Sequence, residues 1–228
     1  MKRLALIIGA SGYIGSEVQK SLRELGFETI GSYHQNKIQD DGEHCDLTDP
    51  KSIAALCEKI TRPVDAIVFA AGIDRELNVD EDRSKLNYQI FTKSNLVQSV
   101  GPYDLIGILN SKKLLKRPSN IIFVGSLVGT KSIDVAPEYA LSKGTLKGLV
   151  QSLSKQLGRD GVLINCVDPG LLEDGAGKII DQKSKKSYLK HCSLKRFGTN
   201  KDMAKTISWI VSENTYITGQ NFVLDGGL

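Results

Sequence analysis

Residues 4–15, LALIIGASGYIG, decide the fold of this chain. They open with five consecutive apolar residues, which is typical of a strand buried on both faces of a parallel sheet. Three glycines follow, and a helical pattern runs over 16–25. Glycine permits a tight turn and a close approach of the backbone to a pyrophosphate, and the start of a helix offers free N–H groups to that anion. The stretch therefore predicts a strand, a dinucleotide-binding loop and a helix. The candidate loop residues are Gly9, Ser11, Gly12, Tyr13, Ile14 and Gly15.

The rest of the chain alternates short apolar runs with helical patterns. Further strands are predicted at 29–33, 44–47, 66–70, 121–124, 162–167 and 222–224, and further helices at 52–60, 97–115, 139–157 and 202–211. Residues 74–96 are interpreted as one or two helices. Strands that alternate with helices indicate right-handed βαβ units, and no change in composition marks a linker. We therefore predict one α/β domain over 1–228, Rossmann-like and doubly wound, with a mostly parallel seven-stranded sheet flanked by helices.

Composition excludes several classes of protein. Of 228 residues, 40% are hydrophobic and 25% charged, so the chain can form a packed core and is not expected to be disordered. A net charge of +4, without basic runs interleaved with aromatic residues, gives no indication of a nucleic-acid partner. The four cysteines lack metal-ligand spacing, so no metal site is predicted. The N-terminal apolar run is too short for a signal peptide and no stretch reaches transmembrane length, so a cytoplasmic protein without membrane contact is expected.

The motif Tyr139-Ala-Leu-Ser-Lys143 indicates proton-transfer chemistry. Its i, i+4 spacing puts the two end residues on one face of a helix. Tyrosine has a reference pKa of about 10, and a nearby ammonium group favours its phenolate form, so such a pair can give or take a proton. Ser126 ends the preceding strand, where a hydroxyl can orient a carbonyl group and stabilise charge on its oxygen. Ser126, Tyr139 and Lys143 are the predicted catalytic set of an oxidoreductase.

The end of the second predicted strand bears on the choice of dinucleotide. An acidic residue there would bind the ribose 2′-hydroxyl of NAD. The segment Ser32-Tyr33-His34-Gln35-Asn36-Lys37 contains no acid, and the next one is Asp40. A 2′-phosphate would tolerate Ser32, His34, Asn36 and Lys37 better than a carboxylate, although no arginine is present. NADP(H) is therefore favoured over NAD(H), with Tyr33 and His34 as candidate contacts.

Taken together, these motifs resemble the short-chain dehydrogenase/reductase family in its compact single-domain branch, over essentially the whole chain. Asp46-Leu47 resembles the adenine-contacting pair of that family, and Ala70-Ala71-Gly72 resembles the end of its Asn-Asn-Ala-Gly motif. The segment with Pro169-Gly170 resembles the one beside the nicotinamide, where Leu172 is a further candidate contact. Residues 196–199 and 216–227 are similar to C-terminal motifs of 3-oxoacyl-acyl-carrier-protein reductases.

The resemblance also implies roles for the catalytic set. Hydride passes from the nicotinamide to a carbonyl carbon while Tyr139 delivers the proton to oxygen. Lys143 additionally holds the nicotinamide ribose. Family members associate through the helix before the fifth strand and the helix that carries Tyr139, so a homo-oligomer, a tetramer or dimer, is expected.

The sequence departs from the family pattern at four positions. The middle glycine of the loop stands at Gly12, one position early, so that Tyr13 takes its usual place. Phe69 replaces the first asparagine of the motif after the fourth strand. Gln98 aligns with the asparagine that holds a water in a proton relay to the lysine, and it is included among the candidate catalytic residues. Asp174 stands where a threonine commonly contacts the carboxamide.

The sequence constrains the substrate less than the reaction. The region at about 171–197 corresponds to the variable substrate lid of the family, and here it is rich in lysine. It is interpreted either as a mobile surface loop or as a cationic cover suited to an acyl-carrier protein or a coenzyme A phosphate. A second basic group at 112–117 has the same two interpretations, a solvated helix end or a docking patch.

Three functions remain open from the residues. The first is a carbonyl reductase acting on a 3-oxoacyl thioester, in fatty-acid or polyketide biosynthesis. The second is an alcohol or sugar dehydrogenase with a small polar substrate. The third is a nucleotide-binding sensor or scaffold with little turnover, which the intact catalytic set disfavours because a sensor needs no proton donor.

Overall fold

A computed structural model of the chain describes residues 1–38, 42–72, 86–133, 135–174, 178 and 180–228. Its seven strands form one sheet in the order β3-β2-β1-β4-β5-β6-β7, and each strand pair in the described ranges is parallel. The order reverses between β1 and β4, which is where open α/β sheets bind ligands outside the carboxyl ends of their strands. The predicted Rossmann-like α/β fold is confirmed. The strands are β1 (Leu4–Ile8), β2 (Glu28–Tyr33), β3 (Glu43–His44), β4 (Val64–Phe69), β5 (Leu115–Val124), β6 (Val162–Pro169) and β7 (Asn221–Leu224).

Helices cover both faces of this sheet. Helices α1 and α7 pack on one face, and α2, α4 and α5 pack on the other. A π-helical turn at Leu96–Val100 joins α3 to α4, and a 3-10 turn at Leu127–Gly129 follows β5. The helices are α1 (Tyr13–Glu24), α2 (Pro50–Glu58), α3 (Tyr88–Asn95), α4 (Gly101–Ser111), α5 (Pro137–Leu157), α6 (Gln182–His191) and α7 (Asn200–Glu213).

Strand β1 shows why its sequence is apolar throughout. Leu4, Leu6 and Ile8 point into the core under α2, α4 and α5, while Ala5 and Ile7 point into the core under α1 and α7. All five side chains are buried. Full burial of an isoleucine or leucine side chain contributes roughly 1.5–3 kcal/mol, so a polar residue at any of these positions would be costly.

The structure corrects several predicted boundaries. Strand β5 begins at Leu115, six residues before its predicted start, and the predicted helix over 97–115 ends at Ser111. The first half of β5 contains Pro118 and pairs with β4 through a register shift, so its sequence does not show strand alternation. Helix α1 starts at Tyr13 rather than at Ser16. Residues 88–95 form a helix, and the rest of the segment predicted at 74–96 lies partly outside the described residues.

The structure also bears on disulfide bonds, membrane spans and metal sites. The four cysteines are buried free thiols, and burial raises the pKa of Cys45 to about 12. Across the described ranges, no helix is both long and apolar enough to span a membrane. In the same part of the chain, no cluster of three or more His, Cys, Asp or Glu side chains is arranged to hold a metal ion.

Candidate active site

The predicted site residues lie along the carboxyl edge of the sheet. The glycine loop follows β1, Tyr33 ends β2, Ser126 follows β5 and Pro169 ends β6. Parallel strands bring these ends to one side, so residues far apart in sequence meet there. Asp46, Leu47, Ala70, Ala71, Gly72, Gly170 and Leu172 also follow strand ends on this edge.

Two glycines of the loop allow a backbone approach that no side chain would permit. Gly9 has φ +87°, and a Cβ there would lie 2.6 Å from the backbone nitrogen of Ala71. A Cβ at Gly15 would lie 2.2 Å from the backbone oxygen of Gly9. Gly12 is the N-cap of α1 with ordinary extended dihedrals, φ −82° and ψ 165°, so the shifted middle glycine has no conformational requirement of its own. The loop therefore packs tightly against the end of β4.

This loop fits a pyrophosphate. The backbone N–H groups of Tyr13 and Ile14 make no hydrogen bond within the described part of the chain, and the first turn of α1 carries no acidic residue. Free N–H groups and the helix dipole together favour an anion at this position. These residues could hold the diphosphate of a dinucleotide, and Tyr13 and Ser11 are exposed beside them.

The side chains at the end of β2 differ in exposure, and only some of them can reach a bound dinucleotide. The sequence predicts that Ser32 is suited to a 2′-phosphate, but this residue is 1% exposed and its Oγ accepts a hydrogen bond from the Gly9 N–H at 3.2 Å. It shapes the glycine loop instead. His34 is exposed and lies 3.4 Å from a carboxylate oxygen of Asp46, while Tyr33 packs edge-on against His44. The open polar surface at this end is thus that of His34 and its neighbours.

Asp46 and Leu47 behave differently from each other. Burial raises the pKa of the Asp46 carboxyl, but hydrogen bonds from Thr48 and the nearby His34 outweigh it and hold that pKa below its usual value. The carboxylate is therefore ionised and anchored by Thr48 at 2.8 Å. Leu47 is buried in the core, so only its backbone can face a ligand.

Phe69 is a core residue. Its ring stacks on Phe123 of β5 with 4.8 Å between centroids, and both are buried. The asparagine of the family pattern is thus replaced by an apolar contact between two neighbouring strands. The candidate contacts left at the end of β4 are Ala70 and Ala71, which are partly exposed, and Gly72, which is exposed.

The predicted pair of Lys143 and Gln98 forms a direct contact. Lys143 is 6% exposed, and its Nζ donates to the side-chain oxygen of Gln98 at 2.9 Å and to the backbone oxygen of Val124 at 3.5 Å. The longer glutamine side chain therefore reaches the lysine itself, rather than holding a water between them. Gln98 lies in the π-helical turn before α4, and such turns occur frequently at functional sites.

Tyr139 and Ser126 complete the candidate catalytic set. The Lys143 Nζ lies 5.8 Å from the centroid of the Tyr139 ring, as the i, i+4 spacing predicts. The half-buried Tyr139 lies in the first turn of α5. This turn is tied to the start of α3, because the buried Glu138 carboxylate accepts the Asn87 N–H at 2.5 Å. Ser126 follows β5 in extended conformation, and its Oγ accepts the Val128 N–H at 3.3 Å. The set has a hydroxyl, a phenol and an ammonium group at one edge of the sheet.

A Gln98→Leu variant is expected to lose about 10- to 100-fold in kcat. Leucine is similar in size but accepts no hydrogen bond, and a hydrogen bond to a charged group is worth roughly 1.5–3 kcal/mol. Steady-state kinetics at saturating cofactor would measure the loss. An undiminished kcat would show that the contact between Gln98 and Lys143 does not matter for turnover.

Sequence reasoning missed residues that support this site. Asp168 and Lys147 form a buried ion pair beneath Ser126, and the hydroxyl of Tyr188 accepts the Leu171 N–H at 3.1 Å and donates to the Asp225 backbone oxygen at 3.2 Å. A carboxylate inside the apolar strand β6 was a visible signal, because a buried charge needs a partner. The contact of Tyr188 gave no such signal, since it depends on how α6 returns to the sheet.

The candidate lid lies across the ends of β6 and β7. Leu172 forms a parallel bridge with Gly198, and the Asp174 carboxylate contacts Asn200 and Lys178 at 3.0 and 2.7 Å. The Asp174 carboxylate is thus bound by other side chains of the protein. Helix α6 buries none of its residues, and it carries four of the six lysines of this region.

The second basic group is largely neutralised. Lys112 pairs with Glu58, Lys116 lies 2.5 Å from Asp65, and Arg117 lies 3.8 Å from Asp160. These contacts favour the interpretation of a solvated, locally paired surface over that of a docking patch.

The fold and this arrangement of side chains define an oxidoreductase that uses a nicotinamide dinucleotide. Residues 11–228 match the family model described as Enoyl-(Acyl carrier protein) reductase. The 3-oxoacyl-[acyl-carrier-protein] reductase FabG of Vibrio cholerae is 28% identical over 99% of this chain and 97% of its own length.

Solved structures agree with the assignment of the fold. A short-chain dehydrogenase from Burkholderia cenocepacia in complex with NADP has a TM-score of 0.83 at 22% identity, covering 99% of this chain and 97% of that one. A 4-hydroxyisoleucine dehydrogenase complexed with NADH has a TM-score of 0.83 at 24% identity, covering 99% and 98%. The chain belongs to the short-chain dehydrogenase/reductase family.

Proposed function

We propose that this protein is an NADP(H)-dependent carbonyl reductase that acts on a 3-oxoacyl thioester. The observation that carries the proposal is the buried Lys143 ammonium beside the Tyr139 ring, on the same sheet edge as Ser126 and the glycine loop. The similarity to 3-oxoacyl-[acyl-carrier-protein] reductases over nearly the full length of both chains supports the substrate class.

The chemistry follows from the charges at the site. When bound, NADPH supplies the hydride that reduces the carbonyl carbon. Ser126 Oγ donates a hydrogen bond to the carbonyl oxygen and stabilises the negative charge that develops there. Tyr139 gives its phenolic proton to that oxygen, and the Lys143 ammonium favours the resulting phenolate. Gln98 holds that ammonium in place through its side-chain oxygen.

The dinucleotide is proposed to bind along the carboxyl edge of the sheet. Its diphosphate would lie on the free N–H groups at the start of α1, and its adenine end would lie near Asp46. The exposed His34 and the absence of an acid in residues 32–37 support a 2′-phosphate. Ser126, Tyr139, Lys143 and Gln98 would face the nicotinamide end.

A Tyr33→Asp variant is expected to lower the preference for NADPH over NADH by about 10- to 100-fold. The new carboxylate would repel the 2′-phosphate and bind the free 2′-hydroxyl of NADH. The ratio of kcat/KM values for the two cofactors measures the preference. Tyr33→Asn is the matched control, because it changes the size of the side chain without adding charge. A wild-type preference for NADH would contradict the cofactor assignment.

The segment at 171–197 is proposed to cover the substrate. Its helix α6 is mostly polar and carries Lys183, Lys185, Lys186 and Lys190. A cationic surface suits the phosphate of a phosphopantetheine arm or the acidic surface of a carrier protein. Tyr188 ties this helix to the ends of β6 and β7, so the cover is anchored where the substrate would enter.

We also propose that the protein is a homo-oligomer that associates through α4 and α5. Tyr103 and Leu141 on these helices are 53% and 48% exposed, and the space around Gly144 and Gly148 is open. Small residues beside exposed apolar ones allow two helices to approach closely. Light scattering coupled to size exclusion would show a dimer or tetramer, and a monomer at micromolar concentration would contradict the proposal.

Oxidation of NADPH by the purified protein tests the substrate class. Acetoacetyl-coenzyme A is expected to be reduced with saturable kinetics, whereas crotonyl-coenzyme A, which presents a carbon–carbon double bond, is expected to be inert. Small ketones and ketoses test the alternative of a dehydrogenase for polar substrates. Absence of turnover with all thioesters would exclude the proposed substrate class, and absence of turnover with every carbonyl would favour the sensor or scaffold.

A further inference from the structure

A fully buried carboxylate lies directly beneath Ser126. Asp168 on β6 is 0% exposed, and its Oδ1 accepts the backbone N–H of Ser126 at 3.0 Å. Its other oxygen lies 3.1 Å from the Nζ of Lys147, which is one helical turn beyond Lys143 on α5. The Cys166 thiol also donates to Oδ1, at 3.3 Å. Three elements of the fold thus converge on one carboxylate.

The chain makes room for this carboxylate and its partner with two glycines that flank Ser126. A Cβ at Gly125 would lie 1.9 Å from Asp168 Oδ1, and a Cβ at Gly129 would lie 2.5 Å from the Lys147 Cε. Neither glycine has a positive φ, so the absence of a side chain serves space rather than backbone conformation. The loop that carries Ser126 is therefore shaped around the ion pair.

Stability alone gives no reason to bury these charges. Removal of two charges from water costs several kcal/mol per ion, and well-packed apolar residues of similar volume are often at least as stable. An apolar pair, however, could not accept the Ser126 N–H, and a hydrogen bond to an ionised acceptor is stronger than one to a neutral group. Lys147 compensates the charge that makes Asp168 this strong acceptor.

We infer that Asp168 and Lys147 are a positioning pair that fixes the backbone of Ser126, so that its hydroxyl points at the substrate carbonyl. This inference rests on the role of Ser126 in the proposed function. Asp168 acts through the serine and does not touch the substrate. Burial, and after it the charge of Asp168, raises the pKa of the Cys166 thiol. The thiol therefore stays neutral and can donate its hydrogen bond to Asp168.

Two double variants separate the acceptor from the charges. Asp168→Asn with Lys147→Met removes both charges but keeps an oxygen that can accept the Ser126 N–H. Asp168→Ala with Lys147→Met removes both charges and the acceptor. Hydrogen exchange of the Ser126 amide is expected to stay slow in the asparagine variant and to become fast in the alanine variant. Thermal unfolding, together with NADPH binding measured by cofactor fluorescence, verifies that both variants fold.

Turnover supplies the second measurement. The alanine variant is expected to lose on the order of 10- to 100-fold in kcat with an unchanged KM for NADPH, since small misplacements of a reacting group cost this much. The asparagine variant should stay within about 3-fold of wild type, because a retained acceptor preserves the geometry. In a Ser126→Ala background the two double variants should have equal rates, since residues that act as a unit are not additive.

The outcomes distinguish the inference from the proposed function. Equal protection of the Ser126 amide in both double variants, or a difference in rate that persists in the Ser126→Ala background, would overturn the positioning role. Full activity of Ser126→Ala alone would overturn the role of the serine in the proposed function. In that case the exchange of the Ser126 amide would still decide whether Asp168 fixes the backbone.

Discussion

A Tyr139→Phe variant is expected to lose about 10²- to 10⁴-fold in kcat while it binds NADPH with nearly unchanged affinity. General acid catalysis by a positioned side chain contributes roughly this much to a rate. Phenylalanine keeps the ring that packs beside the Lys143 ammonium but removes the phenolic proton. Stopped-flow reduction of acetoacetyl-coenzyme A would measure the loss, and cofactor fluorescence would measure binding.

The control for this prediction is Tyr216→Phe. Tyr216 is 93% exposed and lies outside both the candidate catalytic set and the proposed subunit interface, so the same chemical change there should leave kcat within about 2-fold, as for surface substitutions generally. If Tyr139→Phe instead turned over at the wild-type rate, another group would have to supply the proton, and the assignment of Tyr139 would be wrong.

A Gly15→Ala variant is expected to lose most of its affinity for the dinucleotide. The new methyl group would lie 2.2 Å from the backbone oxygen of Gly9, and a backbone atom cannot rotate away as a side chain can. Overpacking of this kind costs roughly 1–3 kcal/mol. The strain is relieved only if the loop moves away from the start of α1, which is where the diphosphate is proposed to bind. A rise of about 10- to 100-fold in the Kd for NADPH, with a lower Tm, is expected.

Gly158→Ala is the matched control for the loop. Gly158 has helical dihedrals at the end of α5, and no atom lies within 4 Å of a Cβ placed there. Alanine should therefore be neutral or stabilise the protein by about 0.5–1 kcal/mol. Unchanged binding of NADPH by Gly15→Ala would show that the tight approach of the loop is not needed for the cofactor.

Much of the fold and of the site could be predicted because the signals are local. The apolar run of β1 reflects a strand buried on both faces, and the i, i+4 spacing of Tyr139 and Lys143 needs only a helix to bring the two side chains together. The sequence predicts the start of β5 six residues too late, because a proline and a register shift interrupt the first half of the strand. Local patterns cannot show that a neighbouring strand accommodates such an irregularity.

The contacts that the sequence did not show in detail are all between different elements of the fold. The side chain of Gln98 reaches Lys143 directly because the π-helical turn sets its direction, and spacing gives no access to that geometry. The hydroxyl of Ser32 accepts the Gly9 N–H, so this residue belongs to the loop rather than to the phosphate site. Lys147 meets Asp168 because α5 packs across β6. Each depends on packing that forms only once the sheet is assembled.

Transfer of deuterium tests the central claim most directly. NADPH deuterated at C4 of the nicotinamide, one C4 epimer at a time, would be incubated with the protein and acetoacetyl-coenzyme A, and the product would be analysed by mass spectrometry. The structure and the proposed function predict 3-hydroxybutyryl-coenzyme A carrying one deuterium on the former carbonyl carbon from one of the two epimers, and almost none with Tyr139→Phe over the same time. If neither epimer places deuterium on that carbon, although the wild-type protein is folded and binds NADPH, the claim that this site reduces a 3-oxoacyl thioester is contradicted.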